Sequence, residues 1–197
     1  MPPWLNLATT AFVSVLAYAP TLFIQGQWHY EVNHHEFRKA FIEQTSIVLG
    51  SNCSTRLQFN ATQDSKGSTG MIALEFTVSP ITRITGFDFA YFEGPGAPAE
   101  DHKLMKITVT KAGTPAVHML SLGGWLSADV NDGFVFSASH HTRNTQGHVR
   151  KVITQVLQGA DSIEVAVIDG RNRAIVLSAT FPLTGAQPIF EALLKGI

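Results

Sequence analysis

The sequence predicts a mainly β fold with α additions, namely a β-sandwich or curved antiparallel sheet with two or three helices, preceded by an N-terminal hydrophobic helix. Three observations support this fold class. Apolar residues alternate with polar ones in about nine short runs, turn-forming residues separate the runs, and helical spacing is confined to a few stretches. The chain has 197 residues, of which 45% are hydrophobic, and this is enough for one domain with its own core.

The alternating runs have a period of two, which is typical of strands that bury one face. They occupy residues 28–32, 57–59, 72–78, 87–91, 107–109, 118–122, 134–138, 163–167 and 175–179. Segments 64–70, 93–98, 112–115 and 169–172 contain the Gly, Pro, Asn and Asp that chain reversals require.

Three stretches have helical signals. Residues 33–36 have the spacing of a capping box and lead into Phe37 and Phe41. Residues 148–158 carry apolar positions three and four apart and stop at Gly159. Residues 188–195 begin with a proline, which suits the first turn of a helix. Each stretch is expected to form a helix.

The first thirty residues contain no Asp, Glu, Lys or Arg, although the chain has 14 basic and 15 acidic residues. Roughly 20 apolar residues in a helix span the hydrocarbon of a bilayer, and aromatic rings are typical of its two interfaces. The sequence therefore predicts a membrane anchor or signal segment over residues 1–27 and a single extracytoplasmic β-rich domain over 28–197. The residues expected to form the anchor are Trp4, Phe12, Leu16, Phe23 and Trp28.

A cleaved signal peptide is the main alternative for this segment, because Ala17-Tyr18-Ala19 has the small-x-small pattern of a cleavage site. The lack of Lys and Arg before it, and Pro20 after it, favour retention. A retained anchor would place the domain at the inner membrane facing the periplasm, whereas cleavage would make the protein periplasmic or secreted. A buried helix of a soluble domain is the third interpretation.

The C-terminal half contains a series of short motifs. A strand, a Gly-x-Pro turn and a second strand span residues 107–120, and the helix 149–157 is followed by Gly159. A hairpin over 163–179 and the run Phe181-Pro-Leu-Thr-Gly185 then lead into a short helix. This order resembles the invasion-associated locus B family of bacterial periplasmic proteins. The resemblance implies an exported sandwich-like domain with no catalytic residues to transfer. Since Cys53 is the single cysteine, the family's disulfide does not carry over.

Histidines are the first candidates for site chemistry, because neutral imidazoles bind Zn, Cu or Ni where three or four ligands converge. Adjacent histidines diverge on both strands and helices, and no H-E-x-x-H motif is present, so no metal site and no cofactor are predicted. The residues that would bind a metal, if any did, are His29, His34, His35, His140, His141 and His148.

Other function classes lack their motifs. The net charge of −1 and the absence of aromatic residues among the basic ones argue against nucleic-acid binding. No G-x-S-x-G motif or phosphate-binding loop occurs, and no catalytic residues are assigned. The basic residues around Arg143, His148, Arg150 and Lys151 are expected to form a solvated helix face, with lipid headgroups or an acidic partner as the alternative.

Four aromatic residues lie between positions 87 and 92. On a strand, Phe87, Phe89 and Tyr91 would share one face while Phe92 would point to the other. This run is a possible partner-facing surface, and core packing is the favoured interpretation.

The leading functional hypothesis is a non-catalytic, membrane-anchored accessory or interaction subunit whose partner is a membrane protein complex or envelope protein. The alternative is a soluble periplasmic protein of the invasion-associated type that binds an envelope or host component. A third hypothesis is a metal-dependent enzyme that uses the histidine clusters.

Overall fold

The computed structural model describes residues 21–25, 27–32, 37–63, 69–94, 103–128, 132–138 and 143–195. Within these ranges the strands are β1 (Thr21–Gln25), β2 (Trp28–Val32), β3 (Arg38–Val48), β4 (Ser51–Gln63), β5 (Thr69–Ser79), β6 (Leu104–Lys111), β7 (Thr114–Ser121), β8 (Gly123–Ser127), β9 (Gly133–Ala138), β10 (Ser162–Ile168) and β11 (Ile175–Pro182). The helices are α1 (Phe89–Phe92), α2 (Arg143–Leu157) and α3 (Ala186–Leu194), and a 3-10 turn covers Ile81–Arg83.

The strands form two antiparallel sheets. The larger sheet has the order β1-β2-β3-β4-β5-β9-β8, and the smaller one has the order β11-β10-β6-β7. Alternation of buried and exposed side chains follows from the pleat, since successive residues of a strand point to opposite faces. The prediction of a mainly β fold with helical additions is confirmed.

The two sheets and the two longer helices share one hydrophobic core. Helix α2 contacts β5 of the larger sheet and both β6 and β7 of the smaller one, while α3 packs against α2 and against β2 and β3. Val149, Val152, Ile153 and Val156 are buried at helical spacing on one side of α2, as the sequence predicted. The helices therefore join the two sheets into one packed unit.

Two predicted elements are wrong. The run 87–91 is not a strand, because Asp88 accepts a hydrogen bond from the Tyr91 amide and caps the short helix α1. Residues 38–41, expected to continue a helix from the capping box at 33–36, begin strand β3 and pair with β2 and β4. For residues 38–41, pairing with the neighbouring strands outweighs the local capping pattern, because the pairing buries Ala40 and Ile42.

The end of the charge-free segment also differs from a continuous helix. Thr21–Gln25 forms strand β1, which pairs with β2. The side chain of Trp28 is fully buried in the core and does not lie at an interface. The remaining anchor prediction, including Trp4, Phe12 and Leu16, concerns residues 1–20 and lies outside the described residues. Among the described helices, none is both long and apolar enough to cross a membrane.

Candidate functional site

The outer edge of β7 is the most distinctive surface of the described domain. Strands β6 and β7 are joined by the two-residue turn Ala112-Gly113, where both residues have positive φ angles of 47° and 77°. In such a hairpin Lys111 and Thr114 form a hydrogen-bonded pair, so every second residue of β7 after Thr114 bonds to β6. The backbone N–H and C=O groups of Val117 and Met119 consequently point away from the sheet.

Pro115 agrees with this assignment, since proline in a sheet is confined to edge positions whose N–H faces outward. The side chains on the same residues are apolar and exposed: Val117 is 53% exposed and Met119 is 41% exposed. No residue from Thr114 to Ser121 carries a formal charge. The edge therefore presents outward backbone donors and acceptors beside apolar side chains, and β7 itself has no charge to oppose pairing with another strand.

Two other sheet edges are partly occupied. At the end of the larger sheet, Gly124 of β8 exchanges two backbone hydrogen bonds with Gly94, at 2.8 and 3.1 Å. At the far end of the smaller sheet, Gln44 Nε2 donates to the carbonyl of Thr180 in β11 at 2.7 Å. Hydrogen bonds from neighbouring segments therefore occupy part of the β8 and β11 edges. Within the described residues, no such hydrogen bond reaches the outward backbone N–H and C=O groups of β7.

Helix α2 runs beside the β7 edge and gives it a basic border. The helix has no acidic residue, and His148, Lys151 and Gln155 lie on its side nearest β7. Lys111 at the hairpin end is exposed, and its Nζ donates to the carbonyl of Gln158 at 2.6 Å. The same neighbourhood contains an open groove of about 390 Å³, lined by Val109, Lys111, Ala112, Thr114, Pro115, Ala116, Gln155 and Gln158.

The structure brings two histidines together in this region. His118 Nε2 lies 2.9 Å from Gln155 Oε1, and the His118 and His148 ring centroids are 6.2 Å apart. His29 lies elsewhere, with its ring stacked on Phe41 at a centroid distance of 4.9 Å. The candidates His34, His35, His140 and His141 lie outside the described residues. No group of three or more His, Cys, Asp or Glu that could hold a metal ion occurs in the described part of the chain.

A second polar cluster joins the turn after β10 to helix α1. Arg171 donates to both oxygens of the buried Asp169 carboxylate, at 2.6 to 3.2 Å, and to Asp88 at 3.0 Å. Its guanidinium lies 3.8 Å from the Tyr91 ring centroid, and the Tyr91 hydroxyl accepts a hydrogen bond from the Gly170 amide. The Arg171 hydrogen bonds hold the pKa of the Asp169 carboxyl below its usual range. This network links α1 to the turn after β10 of the smaller sheet and is a structural contact.

The aromatic run considered as a partner surface belongs largely to the core. Phe87 and Phe92 are buried and stack on each other at 5.3 Å, and Phe89 and Tyr91 pack partly buried against the same cluster. The run 87–92 therefore packs into the core, the interpretation that its sequence favoured over a partner-facing surface. The alternation at His118 and Leu120 implies that Val117 and Met119 face outward, and Pro115 indicates that β7 is an edge strand.

These features define a two-sheet β domain whose smaller sheet ends in an open, uncharged edge strand. Its fold is similar to that in the crystal structure of invasion associated protein b from Bartonella henselae, with a TM-score of 0.48 and 8% sequence identity over 89% of this chain and 96% of that chain. That protein carries the name of the family that the C-terminal motifs resemble. The expected resemblance is confirmed as a similarity of fold. No residue role transfers at this identity. No protein-family model matches the chain, and no curated protein matches it.

Proposed function

We propose that this protein is a non-catalytic interaction subunit, anchored in the membrane by the part of its charge-free segment that precedes β1, whose extracytoplasmic domain binds an extended segment of an envelope protein at the β7 edge. The observation that carries the proposal is the row of outward backbone groups and exposed apolar side chains at Val117 and Met119. An extended partner segment would satisfy these groups by adding a fifth strand to the smaller sheet.

The composition of β7 supports a partner at this edge. Natural proteins protect edge strands with charges, prolines, bulges or a covering segment, because an open apolar edge pairs with other chains. Pro115 protects the first part of β7, but the stretch from Val117 to Ser121 has no charge or proline, and no segment among the described residues hydrogen-bonds to its outward groups. A strand that adds here would pair beyond Pro115 and cover the Val117 and Met119 side chains.

Charge favours an acidic partner segment over a second copy of this chain. Two copies paired antiparallel through β7 would be related by a two-fold axis perpendicular to the sheet, and this would place both α2 helices on the same face. Their Lys151 side chains would then lie on the same face of the joined sheet, and like charges oppose association. An extended segment with apolar residues at alternate positions and acidic residues beside them would instead complement Lys111 and Lys151.

A photo-crosslinking amino acid introduced at Met119 tests this proposal in cells. We expect a discrete adduct with one envelope protein from position 119 and none from Ile175, which is 55% exposed on the opposite edge strand. Val117→Pro should abolish the adduct, because it removes an outward N–H without breaking the β6–β7 ladder. An adduct that is equally strong from position 175, or one that survives Val117→Pro in a folded variant, would contradict the proposal.

The anchor is tested separately by the mass of the intact protein isolated from membranes. Retention predicts a mass that begins at Met1 or Pro2, together with extraction by detergent but not by high salt. A mass that begins at Pro20, with quantitative recovery in the periplasmic fraction, would support the soluble alternative and exclude the anchor.

A further inference from the structure

The geometry points to a two-imidazole binding site for a divalent transition-metal ion, formed by His118 on β7 and His148 on α2. The two residues are 30 positions apart in the sequence and meet because α2 packs under the edge strand. Their ring centroids lie 6.2 Å apart, with an interplanar angle of 55°. Both side chains are partly exposed, so an ion can reach them from solvent.

The distance between the rings suits a shared ion. With metal–nitrogen bonds of 2.0 to 2.1 Å, two imidazoles on one ion have ring centroids roughly 5.2 Å apart in tetrahedral geometry and roughly 6.4 Å apart in linear geometry. The observed separation lies within this interval. A side-chain movement of about 1 Å would reach the tetrahedral arrangement that Zn²⁺ prefers.

Gln155 supplies a second, independent reason to assign a ligand role to His118. Histidines that bind metals usually donate their other ring N–H to an oxygen, which fixes the tautomer and the ring orientation. His118 Nε2 lies 2.9 Å from Gln155 Oε1, and an amide oxygen accepts, so Nε2 is the donor and Nδ1 carries the lone pair. His148 makes no hydrogen bond within the described residues that would occupy its ring nitrogens.

Two protein ligands leave at least two coordination positions for water or for a group from another molecule. The site is therefore an open surface site, from which the ion can exchange with solvent. It needs no carboxylate ligand from the described residues. Since the ion would sit beside the outward edge of β7, a carboxylate of a bound partner could complete its coordination. The histidine pair itself does not depend on the proposed partner interaction.

Titration of the untagged full-length protein with Zn²⁺ tests the site, with calorimetry for stoichiometry and NMR of the histidine ring protons for location. We expect one equivalent to bind with a dissociation constant below about 100 μM, and the His118 and His148 resonances to shift together. His118→Gln and His148→Gln should each weaken binding at least about tenfold, as should Gln155→Leu, whereas the matched control His29→Gln should not.

Two results would overturn the assignment. One is the absence of any heat or shift up to about 1 mM Zn²⁺ in a protein whose circular dichroism is native. The other is binding that both histidine variants retain, which would place the ion elsewhere. Because the crosslinking at Met119 needs no added metal, failure of this site and failure of the proposed partner edge are separable outcomes.

Discussion

Trp28 offers the sharpest test of how the domain is held together. Its indole Nε1 donates to the carbonyl of Pro182 at 2.9 Å, and its ring meets Phe190 edge-on with centroids 5.1 Å apart. One side chain of β2 thus contacts both the smaller sheet and helix α3. Trp28→Phe keeps an aromatic ring at this fully buried position but removes the hydrogen bond and part of the packing.

The expected cost follows from these two losses. A hydrogen bond contributes about 1 kcal/mol net, and its loss leaves the Pro182 carbonyl without this donor. Removal of about two buried ring carbons adds about 1.6 kcal/mol, at roughly 0.8 kcal/mol for each carbon group. The free energy of unfolding should therefore fall by about 2.5 kcal/mol, which for a domain of this size lowers Tm by roughly 5 to 10 °C.

Urea unfolding, followed by circular dichroism, measures this difference. The matched control is Trp125→Phe, because Trp125 is 42% exposed on β8 and its replacement should change stability by no more than about 0.5 kcal/mol. Only Trp28→Phe should remove the blue-shifted part of the native tryptophan emission. Equal losses of stability for the two variants would refute the assignment of Trp28 to the core.

Three further predictions concern single positions. A Cβ at Gly124 would lie 2.3 Å from a ring carbon of Phe134, so Gly124→Ala should lower the free energy of unfolding in urea by about 1 to 3 kcal/mol. Gly147 lies in open space within α2, so Gly147→Ala should raise it by up to about 1 kcal/mol. The reverse order of stabilities would contradict the packing around Gly124. Hydrogen bonds from the Arg171 guanidinium lower the pKa of the Asp169 carboxyl in the folded protein. The contribution of Asp169 to stability is therefore complete above its unfolded-state pKa of about 3.9, and it is lost as pH falls through the lower pKa of the folded state. Asp169→Asn should therefore destabilise at about pH 7, its deficit relative to the wild type should shrink as pH falls below about 3.9, and a deficit independent of pH would exclude this linkage. Cys53 is buried, and burial raises the pKa of its thiol. A thiol reagent should therefore label Cys53 in urea but not in the native protein. Rapid labelling of the native protein would contradict the burial of this side chain.

Most strands could be predicted from the sequence because each buries one face. The alternation at Ile72, Leu74, Phe76 and Val78 matches β5, where all four side chains are fully buried. The apolar spacing in α2 was equally informative, since a helix that packs on one side must repeat every three to four residues. Period alone was sufficient for these elements.

Period failed where several aromatic residues were close in sequence. Phe87, Phe89 and Tyr91 alternate like a strand, yet the chain turns into α1 because Asp88 caps it and the rings pack around a common centre. Alternation at three positions cannot distinguish a strand from a turn whose side chains converge on one cluster. The information that decides between them is tertiary.

The β7 edge was only partly accessible to a local interpretation: its residues were assigned to a strand and Pro115 is typical of an edge, but its neighbours are a tertiary property. Whether Val117 and Met119 border solvent or another strand depends on the order of strands in the sheet, and β6 lies between β10 and β7. The pairing of His118 with His148 depends in the same way on how α2 packs against the smaller sheet. Sheet order and helix docking, rather than composition, created both candidate sites.

The hydrogen bond from Trp28 to Pro182 joins residues that are 154 positions apart, and Tyr30 reaches the carbonyl of Ala192 across 162 positions. Strand β2 is made early on the ribosome, but its largest side chain has no complete environment until β11 and α3 have been synthesised. Contacts of such long sequence separation form late and slowly. The core around Trp28 therefore closes only after almost the whole polypeptide has been made.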